Sequence, residues 1–261
     1  MRIVSLLPSA TEILFALGLG DDLEGVSFEC DFPPAARGKR VVSGTALPTG
    51  EPLTAREVDD AVTAEVAAGR PIYTLDREAI AAIAPDLILA QDLCRVCAVP
   101  SGAVEEALEA LGCRAEVVSL DPAGIDDVIA CIGAVGRATG TAERAADLMA
   151  SLRARVDAVR ALVAGLPRPP TLALEWSDPP YSGGHWVPEM VAAAGGRDVL
   201  GVPGADSRRL AWDEVEAARP EVVVFMPCGY DLDRAVEEGR DLLEVAALAG
   251  ARSVFAVDAT A

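Results

Sequence analysis

At 261 residues the chain can form one large domain or two lobes, and its 51% hydrophobic composition allows sizeable cores. The formal net charge is −19, from 41 acidic and 22 basic residues, and no basic stripe interrupts it, which excludes nucleic acid and anionic membrane as partners. No apolar run approaches the roughly 20 residues of a membrane span.

In chain order, residues 2–6 are apolar and β-branched enough for a first strand. Pro8 breaks that run and Glu12 follows before the apolar core of an export signal develops. The expectation is a cytoplasmic chain, or one exported and then freed of its signal. Ser9 and Glu12 have capping-box spacing, so a helix is expected through residues 11–17, then a strand at 23–27. Residues 54–68 show helical periodicity, with Thr54 and Glu57 again at that spacing. A helix opened by Asp76 and stopped by Pro85 precedes a buried strand at 86–90; a helix at 101–111 and a strand at 115–120 follow.

The strand–helix rhythm then stops. From 125 to about 166 the apolar spacing is helical throughout, with one interruption at Thr139-Gly140-Thr141, and predicts a short helix followed by a long one at 142–164. At 1.5 Å per residue that helix is on the order of 35 Å long. Strand signals return at 171–176, 221–226 and 253–257, separated by helical stretches at 188–194, 212–218, 232–238 and 242–248. The fold class expected is α/β: two Rossmann-like lobes with parallel central sheets joined by one long backbone helix, the ligand cleft lying between them. The expected division is an N-terminal lobe over 1–121, linking helices over 122–166 and a C-terminal lobe over 167–261.

Candidate site residues fall at strand ends. Trp176, Tyr181, His185 and Trp186 crowd one loop of a chain that is 4% aromatic and has one histidine. Aromatic faces bury large area at low entropic cost, which suits ligand contact; the bland reading is that Trp176 is core and Trp186 packs the next helix. Ser9, Phe28, Glu29, Asp92 and Tyr230 also fall at strand or helix ends, and Arg208, Arg209 and Trp212 are equally rim or contact. Cys94 and Cys97 form a Cys-x-x-Cys pair after a strand, to which Cys30 and Cys228 are the nearest candidates for further thiolates; Cys113 and Cys131 read as packing residues. A structural zinc site needs four ligands and the pair supplies two; beside a metal role, the bland reading is small buried residues or, for the pair, a loop-closing disulfide. Pro100 and Ser101 separate it from the next helix, unlike the helix-opening pair of thioredoxin-like enzymes. No Gly-x-Ser-x-Gly elbow, phosphate-binding loop or dinucleotide fingerprint is present, so nothing positive points to an enzyme.

The string Arg2-Ile3-Val4-Ser5-Leu6-Leu7-Pro8-Ser9-Ala10-Thr11-Glu12 resembles the opening of ABC-importer substrate-binding proteins of the helical-backbone class, the cobalamin binders among them. Glu29-Cys30-Asp31-Phe32-Pro33 resembles the family's next segment, and Pro85-Asp86-Leu87-Ile88 and Pro220-Glu221-Val222-Val223 resemble its repeated "helix, Pro-acid, strand" unit. That resemblance implies a small-molecule ligand, cobalamin or another corrinoid, held by the aromatic loops, with an ABC permease as the partner. Two readings stand beside it: a thiolate metal or metal-chelate binder, haem or siderophore included, using Cys94, Cys97 and Cys30, and a cytoplasmic enzyme or accessory factor on a recruited binding-protein fold. The segment 44–75, with its own helix, and the loop 91–98 depart from the family pattern.

Overall fold

The computed structural model describes residues 1–48, 53–93, 99–111 and 114–259. Its elements run β1 (Ile3–Ser5), α1 (Pro8–Ala16), β2 (Leu23–Val26), β3 (Arg40–Val41), β4 (Ser43–Thr45), α2 (Ala55–Ala67), β5 (Tyr73–Leu75), α3 (Arg77–Ile83), β6 (Leu87–Ala90), α4 (Ser101–Leu111) and β7 (Glu116–Ser119). There follow α5 (Ile125–Ala138), α6 (Ala142–Val163), β8 (Pro170–Ser177), β9 (Pro180–Ser182), α7 (Val187–Ala193), β10 (Arg197–Asp198), α8 (Trp212–Ala218), β11 (Val222–Phe225), α9 (Leu232–Leu242) and β12 (Ser253–Ala256). Contacts divide them into two units. One comprises Met1–Pro52, Asp60–Pro122 and Ile129–Ser151, the other Leu53–Asp59, Ala123–Val128 and Leu152–Ala261.

The first unit is built on a five-stranded parallel sheet in the order β3-β2-β1-β6-β7. Every residue of β1 and β6 is buried, as a parallel sheet covered on both faces requires. Val4, Leu6, Ile80, Ile88, Val104 and Leu108 belong to one core cluster of this unit. The capping box expected at Ser9 does not form: α1 starts at Pro8, its N-cap is Leu7, and no side chain caps it. Proline at the first helical position is already set to a helical φ and has no N–H to satisfy, so the cap moves two residues back, from Ser9 to Leu7, and Ser9 lies inside the first turn. The capping box at Thr54 does form, the Thr54 N–H donating to Glu57 Oε2 at 2.9 Å and the Glu57 N–H to Thr54 Oγ1 at 3.3 Å. In the same unit Gly136 of α5 lies against α6: a Cβ there would sit 2.4 Å from that of Ala145, so only glycine permits the approach.

The second unit's sheet runs β10-β8-β11-β12 in parallel, with β9 folded back antiparallel onto β8. One face carries the core of Leu172, Leu174, Val215, Val223, Phe225 and Leu242. On the other, Ala173, Val224, Met226, Phe255 and Val257 line an apolar groove of about 460 Å³ together with residues from α7 and the end of α6. β9 departs from an all-parallel lobe. Its Pro180 has no N–H to donate, and its carbonyl accepts from the Leu210 N–H at 2.7 Å, outside the β8–β9 pair.

Candidate functional site

The parallel strands of the second unit deliver their C-terminal ends to one edge, where loops and aromatic side chains collect. Trp176 is the last residue but one of β8, and the turn into β9 sets Tyr181 directly across from it in the strand register. Tyr230, which follows β11, meets Trp176 edge to face at 5.3 Å between centroids. The Tyr230 ring is nearly buried, and the Arg234 guanidinium lies 3.7 Å over its face while also donating to its hydroxyl at 2.8 Å. Burial, with Glu238 close by, pushes the Tyr230 phenol up to about 12.

A chain-remote segment completes this cluster. The Trp176 indole N–H donates to the Ala55 carbonyl at 2.9 Å, and Arg234 donates to that of Leu53 at 2.8 Å. The Tyr181 hydroxyl donates to Asp59 Oδ1 at 3.2 Å, and Arg209 Nη2 lies 3.4 Å from Asp59 Oδ2. Arg56 forms an ion pair with Asp178. Burial first, then the Asp59 charge, holds the Tyr181 phenol above its ordinary value.

His185 and Trp186 stand in the same loop with their rings 5.9 Å apart. His185 has a left-handed φ of 50°, fixed by its N–H donating to Ala205 and its carbonyl accepting from Gly204. Its Nε2 is 3.2 Å from Asp206 Oδ1. Beneath the loop, the Glu175 carboxylate accepts from the Gly184 N–H at 2.9 Å, and burial raises its pKa.

In the first unit, Phe28 is exposed after β2 and packs 6.1 Å from the ring of Tyr73. The Tyr73 hydroxyl donates to Glu29 Oε1 at 3.2 Å, and burial raises the Glu29 carboxyl. Ser9 is exposed in the first turn of α1. Asp92 accepts from both the N–H and the hydroxyl of Ser101, so its carboxylate fastens the start of α4. Cys30 is buried with its sulfur 3.1 Å from Thr11 Oγ1, and burial raises its thiol. Cys94 and Cys97 lie outside the described residues, among which no cluster of three metal-binding side chains occurs.

The sequence thus brings Trp176, Tyr181 and Tyr230 together. Asp59, Arg56, Arg234 and Tyr73 were not singled out, because their roles come from partners 44 to 181 residues away, beyond the reach of spacing.

Two α/β units built on parallel sheets, with aromatic side chains gathered at the strand ends of the second, define an α/β protein of the binding-protein type. The chain belongs to the periplasmic binding protein family, which it matches over residues 3–243. Membership in a family of substrate-binding proteins makes it a binder, not an enzyme. It is 27% identical over 231 residues to a vitamin B12-binding protein of Yersinia pestis (strain Pestoides F), covering 85% of this chain and 68% of the relative. Among solved structures it is similar to the periplasmic vitamin B12 binding protein BtuF of Vibrio cholerae, with a TM-score of 0.70 at 22% identity over 99% of this chain and 88% of that one. It is also similar to the periplasmic heme-binding protein RhuT from Roseiflexus sp. RS-1, with a TM-score of 0.69 at 23% identity over 98% and 89% of the two chains.

Proposed function

We propose that the protein binds a cobalamin or a related corrinoid, with Trp176, Tyr181 and Tyr230 supplying its aromatic contacts. The observation that carries this reading is the edge-to-face pair of Trp176 and Tyr230, with Tyr181 beside it, in a chain so poor in aromatics. A broad, partly apolar macrocycle gains most from rings that are already held in place, since little side-chain entropy remains to be lost on binding. The vitamin B12-binding relatives support the choice of ligand. His185 and Trp186, in the same loop as Tyr181, are further contacts in this reading. Hand-over of the ligand to an ABC permease is the role that it implies.

Titration with hydroxocobalamin tests it, followed by tryptophan fluorescence and by the corrin absorbance. Saturable quenching that weakens when Trp176 is replaced by Ala is the expected result. The absence of any spectral change up to high micromolar cobalamin rejects the ligand.

A further inference from the structure

Tyr181 and Arg209 are placed together by backbone pairing. They oppose each other across an isolated antiparallel bridge. The flanking hydrogen bonds, Leu210 N–H to the Pro180 carbonyl at 2.7 Å and Ser182 N–H to the Arg208 carbonyl at 3.0 Å, leave 181 and 209 as the non-hydrogen-bonded pair. Side chains of such a pair share a face and approach most closely. A phenol O–H and a guanidinium fork therefore converge whatever else is present, and both are donors. What they meet is the carboxylate of Asp59, on a side chain only 11% exposed and carried by a segment more than a hundred residues away. The fit to arginine is loose: the contact is 3.4 Å long and the Arg209 side chain is 54% exposed, whereas a guanidinium can hold an oxyanion by two parallel, shorter bonds.

We propose that Tyr181 and Arg209 are the recognition pair for an acidic oxyanion, a carboxylate or phosphate carried by the bound small molecule, and that the Asp59 carboxylate competes with it for the same two donors. The inference rests on the reading of this loop cluster as the ligand site, but not on the ligand being a corrinoid. Exchange of one oxyanion for another keeps Tyr181 and Arg209 paired, and the cost that the ligand must meet is the displacement of the Asp59 carboxylate, 11% exposed, in a chain whose net charge is −19. It also makes ligand specificity a contest with Asp59: a neutral group in the same position gives the two donors less than they already have. Asp59 is a positioning residue, whereas Tyr181 and Arg209 touch the ligand.

The test uses the full chain and a matched pair of minimal probes, glutarate and glutaramide, at constant ionic strength, with binding read by calorimetry. Glutarate is expected to bind Asp59→Asn about tenfold more tightly than wild type, the scale of one charge-assisted hydrogen bond. Arg209→Gln in the Asp59→Asn background should abolish that binding and Tyr181→Phe should weaken it, each with an unchanged circular dichroism spectrum, while glutaramide binds none of the proteins. Equal glutarate affinity in wild type and Asp59→Asn overturns the proposal, as does glutaramide binding as well as glutarate, or Asp59→Asn failing to bind glutarate at tens of millimolar. Cobalamin titration is a separate measurement. Its failure alongside a positive glutarate result removes the corrinoid and leaves the pair standing, and the reverse result removes only the pair.

Discussion

Gly184 lies so close to Ser207 that a Cβ on it would stand 2.3 Å from the Ser207 backbone nitrogen. Because the obstacle is backbone, no rotamer change relieves it. Gly184→Ala should therefore displace the loop carrying His185 and Trp186 and cost about 1–3 kcal/mol, the range for overpacking a close contact. Thermal unfolding measures the loss, and near-ultraviolet circular dichroism should report the altered setting of Trp186.

Trp176→Phe keeps a ring against Tyr230 but removes the indole N–H that the Ala55 carbonyl accepts. Stability should fall by about 1 kcal/mol, the net worth of one such bond. If Trp176 is the main reporter of ligand, the same variant should also lose most of the fluorescence response to cobalamin while corrin absorbance still changes.

Tyr230 gives an alkaline signature. Its phenol is pushed up to about 12, above the roughly 10 of an unfolded chain. The fold thus favours the neutral form; that stabilisation is complete below pH 10 and is lost as pH rises through about 12. Tyr230→Phe should flatten this part of the stability profile. Urea midpoints of the two proteins measured from pH 9 to pH 12 should differ in slope there.

Glu175 is raised by burial, so its charge is borne at a cost at neutral pH although Gly184 donates to it. The sign follows: its protonated form suits the fold, and the benefit is present below the unfolded carboxyl value and lost as pH rises through the raised one. Glu175→Gln keeps an acceptor for the Gly184 N–H without the charge. It should raise Tm at pH 7 by about 2–4 °C, the shift that roughly 1 kcal/mol produces at this size, and by much less near pH 4.

The parts of this fold that were legible are those whose cause is local. Residues 142–164 read as one helix from their spacing, and α6 spans Ala142–Val163; α8 occupies the predicted 212–218. Short apolar runs marked β1, β6, β8 and β11. The two-residue strands β3 and β10 carry too few side chains for any period, and Pro179-Pro180 hid β9 as a turn. Ser9 was assigned a cap that Pro8 pre-empts. At the site, the aromatic crowding at 176–186 was visible because aromatics are scarce here, whereas the Asp59 carboxylate looked like any solvated helix charge until the fold set Tyr181 and Arg209 against it.

Neither contact-defined unit is an unbroken stretch of chain, since Leu53–Asp59 belongs with the unit whose main body starts only at Leu152. During synthesis the ribosome therefore releases this short piece about a hundred residues before the groups that hold it, and those contacts are among the last to be satisfiable. A gene fragment starting at 152 would be born with Trp176, Tyr181, Arg209 and Arg234 lacking the acceptors that Leu53, Ala55 and Asp59 provide. Dissecting this protein into autonomous halves will require supplying that heptapeptide in trans or grafting it by circular permutation.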